Sequence, residues 1–260
     1  MGVDASASSS PAQERVIELY QFPPHPDMPL PVSTSPFCAK LEAYLRLTKR
    51  PYVARNGSPL KSPAKTVPYV ERGVGVGLEA DSADIIATLE AEGPSLDSEV
   101  VRKDALVKEL TELAEERMYF TILYACFVQH DGWKEHVAGV KASLPFVLRP
   151  LLCGRIRRGQ IKKAAQHGCT NDTTAFAASA ADVARLAQVL SAVGGDGFLL
   201  GSDPHVVDCS VYAMLLAAAY ITHPNPLTDA IRAQPVVMRY IERMTDAVGF
   251  DSLPAPRYIH

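Results

Sequence analysis

The chain has 260 residues, 47% of them hydrophobic, and 26 basic against 29 acidic side chains give a formal charge of −3. That near-balance provides no global basic field for capturing nucleic acid, so any anion site has to be local. No apolar run approaches the roughly 18 residues of a spanning helix, and no charged start followed by an apolar stretch marks a secretory leader.

The length suits two units, each with its own core. The five cysteines, Cys38, Cys126, Cys153, Cys169 and Cys209, are odd in number and widely spaced. They suggest neither a disulfide framework nor a paired-ligand zinc site. The expected setting is a soluble, cytoplasmic protein with reduced thiols and no metal.

Residues 1–14 are rich in Ser and Ala without apolar periodicity and are expected to be a disordered tail. Within them, Met1-Gly2-Val3-Asp4-Ala5-Ser6 fits the minimal N-myristoylation pattern, with no second membrane signal nearby. Residues 16–22 have strand composition and run into Pro23, Pro24, Pro26, Pro29 and Pro31, which predict an extended loop. At Ser35 the pattern changes. Pro36 suits a first helical position, and Phe37, Leu41, Tyr44, Leu45 and Thr48 fall on one face of a predicted helix of about 14 residues.

Residues 51–55 read as a second strand, 67–71 as a third and 75–78 as a short fourth across a glycine turn. Asp81-Ser82 then caps a helix carrying Ile85, Ile86 and Leu89 that stops near Gly93. The order is βαβ followed by ββα. A crossover helix makes the first strand pair parallel and a tight turn makes the last pair antiparallel, which predicts a small mixed sheet.

Beyond Pro94 no strand is predicted. Helical patterns cover residues 100–126, 133–143, 146–167, 172–193, 206–220 and 236–248, separated by Asp131-Gly132, Pro145, residues 194–197 and residues 223–226. The expected organisation is a tail at 1–14, an α/β domain at 15–94 and an all-helical domain at 95–260.

The chemistry-bearing motifs lie in the first domain. Ser35-Pro36-Phe37-Cys38 is a Cys-Pro-x-Cys-like turn whose first cysteine is a serine. A local dithiol cycle is therefore excluded, and chemistry has to run through the Ser35 hydroxyl, the Cys38 thiol or a bound thiol. Together with Val67-Pro68, Asp81-Ser82 and the helical half, this turn resembles the cytosolic glutathione transferases: a thioredoxin-like N-terminal domain followed by an all-helical domain, over nearly the whole folded chain. The finer likeness is to the branch containing the failed-axon-connections protein and, more distantly, the metaxins. It rests on residues 19–23, 35–38 and 41–46, on residues 155–167, and on residues 198–204 leading to Asp208.

The resemblance implies glutathione as co-substrate. Ser82 and the helix N-terminus would take the γ-glutamyl carboxylate, with Asp81 near the ammonium. Val67, joined to Pro68 by a cis bond, would pair with the cysteinyl backbone. Lys65 would stand in for the lysine that the family usually carries one place later, where this chain has Thr66. Ser35, or Tyr20 in the first strand, would donate to the sulfur and favour thiolate; lowering a thiol by about two pKa units corresponds to roughly 2.7 kcal/mol.

Each residue also has a structural reading: Ser35 as a helix cap, Cys38 and Tyr20 as core residues, and Asp81-Ser82 as a cap alone. Asp208 is expected to be buried and structural. His205 takes the place of the family's usual Ser or Thr cap ahead of it.

Outside these motifs, the basic residues Arg149, Arg155, Arg157, Arg158, Lys162 and Lys163 read as a solvated face or as a surface for phosphate, lipid or an acidic partner. Tyr119, Phe120, Tyr124 and Trp133 read as core or as the lining of an electrophile pocket. The leading functional expectation is glutathione-dependent attack on a small electrophile, in detoxification, with homodimerisation implied by the resemblance. The alternatives are a non-catalytic adaptor of metaxin type and, ranked last, a one-cysteine oxidoreductase using Cys38.

Overall fold

The computed structural model describes residues 16–24, 32–73, 77–144 and 146–249. The expectations for the tail at residues 1–14, for Gly2 and for Pro26, Pro29 and Pro31 lie outside them.

Four strands form one sheet in the order β2-β1-β3-β4: β1 is Ile17–Gln21, β2 Tyr52–Asn56, β3 Tyr69–Glu71 and β4 Leu78–Ala80. β1 runs parallel to β2 and antiparallel to β3, and β4 is antiparallel to β3. The predicted mixed sheet is present, with the third and fourth strands starting two and three residues later than the sequence pattern suggests.

Burial alternates along β1. Ile17, Leu19 and Gln21 point into the protein, while Glu18 and Tyr20 point to the other face. The inward face is covered by α1 (Pro36–Leu47) and α2 (Ser82–Glu92), whose Leu41, Tyr44, Leu45, Ile85, Ile86 and Leu89 join the core. On the opposite face, successive turns over residues 58–65 reach the sheet, and the Ser58 N–H lies 3.5 Å from the Tyr69 hydroxyl.

The remainder is helical. Short helices α3 (Glu99–Arg102) and α4 (Ala105–Glu112) lead into a π-helical turn (Leu113–Met118), α5 (Tyr119–Leu123) and a second π-helical turn (Tyr124–Val128). Then follow α6 (His130–Ala142), a 3-10 turn (Phe146–Leu148), α7 (Arg149–Gln166), α8 (Asp172–Phe176), α9 (Ser179–Ala192), α10 (Val206–Ala219), α11 (Pro226–Arg232) and α12 (Pro235–Val248). Several boundaries differ from the periodicity: the pattern over 100–126 is broken at Lys103-Asp104 between α3 and α4, and Asp131-Gly132, expected to separate helices, lies within the first turn of α6. The pattern over 172–193 is split between α8 and α9, and α11 was not anticipated because its seven residues are too few to show a period.

α10 is apolar on nearly every face and correspondingly buried, the behaviour of a helix surrounded by others. It packs on α1 and so joins the two domains. Lys40 on α1 is almost wholly buried and pairs with Glu115 at 2.6 Å, and the Ser210 hydroxyl of α10 donates to the same carboxylate at 2.6 Å.

Asp208 is fully buried, as expected, and accepts from the Leu199 N–H, the His205 N–H and the Tyr240 hydroxyl, each at 2.9 Å. Burial raises its carboxyl, against the pull of those three hydrogen bonds.

Candidate functional site

The register gathers the predicted motifs at one end of the sheet. Tyr20 pairs with Tyr69, and Tyr69 with Ala80. The end of β1, the Val67-Pro68 approach to β3 and the Asp81-Ser82 start of α2 therefore share one edge. The chain leaving β1 at Phe22 returns to that edge as α1 begins, so the N-termini of α1 and α2 face the same side, where their dipoles favour an anion.

At this edge the Val67-Pro68 bond is cis. Asp81, exposed and at a φ of 75°, caps α2 by accepting from the Ala83 N–H at 2.8 Å, while Ser82 behind it is buried. Lys65 also has a positive φ, 58°, and its exposed ammonium donates to the Leu60 carbonyl at 3.3 Å.

Ser35 is the N-cap residue of α1, yet its side chain makes no capping bond. Its hydroxyl is a hydrogen-bond partner of the Cys38 sulfur instead, as are the Ser33 hydroxyl and the Phe22 backbone. Cys38 is fully buried, and burial pushes its thiol up to about 11 despite those partners. Such a sulfur stays protonated at neutral pH and is no nucleophile.

Tyr20 points away from α1, on the far face of the sheet. Its ring stacks on Tyr69 with centroids 4.7 Å apart, and its hydroxyl donates to Glu18 at 2.8 Å. The Glu18 carboxylate holds the phenol protonated, up to about 12.

Between the two domains lies a cavity of about 170 Å³. The first domain contributes Phe22, Val32, Ser33, Thr34, Ser35, Pro36 and Ala39; α5, the second π-helical turn, α6, α7 and α10 supply most of the rest. Of the residues singled out in the sequence as catalytic or glutathione-binding candidates, Ser35 alone lines it. Neither Cys38 nor Tyr20 does, nor do Lys65, Val67, Pro68, Asp81 and Ser82 at the sheet edge.

Of the four aromatic residues considered for an apolar pocket, Tyr119 lines the cavity, and its ring meets Phe37 of α1 with centroids 4.8 Å apart. The other three serve packing. Phe120 stacks on His167 at 3.5 Å, the Tyr124 hydroxyl donates to Asp172 at 2.8 Å, and Trp133 sits beneath the Arg157 guanidinium at 5.1 Å.

Several cavity residues were not singled out as site candidates in the sequence: Gln160, Glu135, His136 and His223. His223, buried, has Nδ1 3.2 Å from Glu135 Oε2 and Nε2 3.0 Å from Gln129 Oε1. It is brought there by Gly132. A Cβ on that glycine would sit 1.8 Å from the Ala125 carbonyl oxygen and 2.7 Å from the His223 ring, so α6 approaches the second π-helical turn only without a side chain. Glu135 is held below the ordinary carboxyl range: burial raises it, but hydrogen bonds from His223 and Thr222 outweigh that. Cys126, also in the wall, is pushed up to about 12 by burial.

Among the described residues no His, Cys, Asp and Glu group is arranged for a metal, and no helix is long and apolar enough to cross a membrane.

Comparison with known proteins places these features in a family context. Residues 36–132 match the glutathione S-transferase N-terminal domain model, and residues 179–244 match the glutathione S-transferase C-terminal domain model. Among solved structures, the glutathione transferase GSTFuA3 of Phanerochaete chrysosporium superposes with a TM-score of 0.64 at 15% identity, covering 92% of this chain and 100% of that one. A glutathione S-transferase of Rhodospirillum rubrum gives 0.57 at 14% identity, covering 94% and 96%. One of Methylobacterium radiotolerans, solved in complex with glutathione sulfonate, gives 0.54 at 14% identity, covering 94% and 97%. At these identities the likeness is one of fold.

Proposed function

We propose that this chain, which belongs to the glutathione S-transferase superfamily, binds glutathione along the sheet edge and presents its sulfur, as thiolate, to a small electrophile in the interdomain cavity. The observation that carries this reading is the position of Ser35. It stands at the start of α1 and in the wall of a cavity whose other walls come from the helical domain. A sulfur held there meets the helix dipole on one side and an apolar chamber on the other.

The hydroxyl chemistry follows from its neighbour. Burial keeps Cys38 protonated, so its neutral sulfur is a weak acceptor, and the Ser35 O–H beside it is free to donate to an incoming thiolate, the stronger one. Cys38 is then a positioning residue and Ser35 the catalytic one. The tripeptide's ends fall to the sheet edge: Ser82 and the α2 N-terminus for the γ-glutamyl carboxylate, Asp81 for the ammonium, the Val67 backbone for the cysteinyl unit, and Lys65 for the glycine end. The side-chain motifs shared with the failed-axon-connections and metaxin group support membership of that branch, and detoxification in the cytoplasm as a homodimer is the setting consistent with this reading.

Titration calorimetry with reduced and oxidised glutathione, combined with conjugation of a generic aryl halide, tests it. The expected result is binding of glutathione by wild type and by Ser35→Ala, with conjugation by the variant reduced about tenfold or more. Absence of glutathione binding, or full rate in Ser35→Ala, overturns it.

A further inference from the structure

The turn before α7 and the start of that helix expose an apolar tip. Phe146, Val147 and Leu151 are 79%, 81% and 73% exposed, values at which these side chains stand clear of their surroundings. Single exposed apolar residues are ordinary; three within six positions, in one turn and the helix it opens, form a patch that calls for an occupant.

Along α7 from that tip, Leu151, Arg155, Arg158 and Lys162 recur at helical spacing and are all exposed. α7 contains no acidic residue, and among the described residues none of Arg155, Arg158 and Lys162 forms an ion pair. The other basic residues are engaged. Arg157 donates to the Phe127 and Val128 carbonyls, Lys163 lies over the Tyr119 ring at 5.0 Å, and Arg149 Nε donates to the Leu144 carbonyl at 3.2 Å while its guanidinium covers one side of the Phe146 ring. The six-residue basic run seen in the sequence therefore divides into three residues used within the fold and three left free on one face.

We infer that this surface docks on an anionic lipid membrane, with Phe146, Val147 and Leu151 entering the headgroup region and Arg155, Arg158 and Lys162 pairing with lipid phosphates and carboxylates. An apolar tip beside a cationic stripe presents the two contacts a membrane surface offers, burial at the headgroup boundary and pairing with anionic lipid. The protein carries net negative charge, so attraction has to come from this local patch. Two other occupants fit less well. A second copy paired along the length of α7 about a two-fold axis would set this cationic stripe against another of the same sign. An acidic protein would satisfy the cations and leave the protruding apolar tip without a groove.

Flotation of the full-length protein with an unacylated amino terminus, so that Gly2 plays no part, tests this. The two probes are phosphatidylcholine vesicles with and without phosphatidylserine. Wild type is expected to float with the serine-containing vesicles and to be released by raised salt. Arg155→Glu, Arg158→Glu and Lys162→Glu together should lower partition at least about tenfold. Phe146→Ser, Val147→Ser and Leu151→Ser together should lower it also, with an unchanged unfolding midpoint, since these side chains contact little of the fold.

No flotation of wild type with anionic vesicles, or equal flotation of the charge-reversed protein, overturns the inference. So does binding of polyglutamate without binding of vesicles. A wild-type mass of two chains by light scattering that falls to one in the serine variant assigns the patch to a second copy and overturns it as well.

Discussion

Asp97 and His205 are 108 residues apart in the chain, and their side chains meet with Oδ1 2.9 Å from Nδ1. The same Asp97 oxygen accepts from the Val206 N–H at 3.2 Å. α10 lacks a local Ser or Thr cap, and a carboxylate from the segment after α2 supplies one in its place.

Asp97→Ala therefore removes a cap and leaves the His205 ring without that partner. The expected loss is about 1–2 kcal/mol, or a few degrees in Tm. Adding His205→Ser should recover part of it by restoring a cap from within the helix, which thermal unfolding of the two variants measures.

Glu90 makes stability depend on acid. It accepts from the Tyr44 hydroxyl (2.9 Å), the Ser95 hydroxyl (2.7 Å), the Leu96 N–H (2.8 Å) and the Asp97 N–H (3.0 Å). Burial alone would raise its carboxyl, but these bonds hold it below its ordinary 4.5. A depressed folded-state pKa contributes stability that is fully present above 4.5 and is lost as pH falls through the folded value. Denaturant unfolding should show wild type weakening below that pH, whereas Glu90→Gln should be less stable at neutrality and vary less on the acid side.

The Lys40–Glu115 pair lies between the domains, with side chains 4% and 15% exposed. Lys40→Met strands a carboxylate whose remaining partner is the Ser210 hydroxyl, at an expected cost of about 3 kcal/mol or more. Replacing both ends, Lys40→Met with Glu115→Leu, should cost much less, because no charge is left without its partner. A double-mutant cycle by urea unfolding separates the two cases.

Cys38 offers a test of which sulfur reacts. With its thiol raised to about 11, only about one part in a thousand is thiolate at pH 8, so alkylation in the native protein should be slow at that residue by peptide mass spectrometry. Cys38→Ser keeps a polar partner beside the Ser35 hydroxyl and is expected to retain conjugation, while Cys38→Ala should lose a few-fold. Abolition of activity in both would return the chemistry to Cys38.

Periodicity and punctuation were enough to read a mixed sheet followed by helices. Alternation in β1, the Ser35-Pro36 helix start and the Asp81 cap are local signals, decided by residues within a few positions of one another. The sequence by itself determined those elements and their order, while the buried role of Asp208 was legible through the family resemblance.

Tertiary structure alone decided which of the candidate residues share a chamber. Tyr20 faces away because α1 and α2 cover the other side of β1, and a strand pattern does not say which face is covered. Gln160, Glu135 and His223 meet Ser35 across a cavity that forms only when helices from distant parts of the chain pack on the first domain. The cap on α10 likewise depends on a residue more than a hundred positions earlier. Short-range patterns encode conformation, whereas a site is made by long-range packing, which no single segment records.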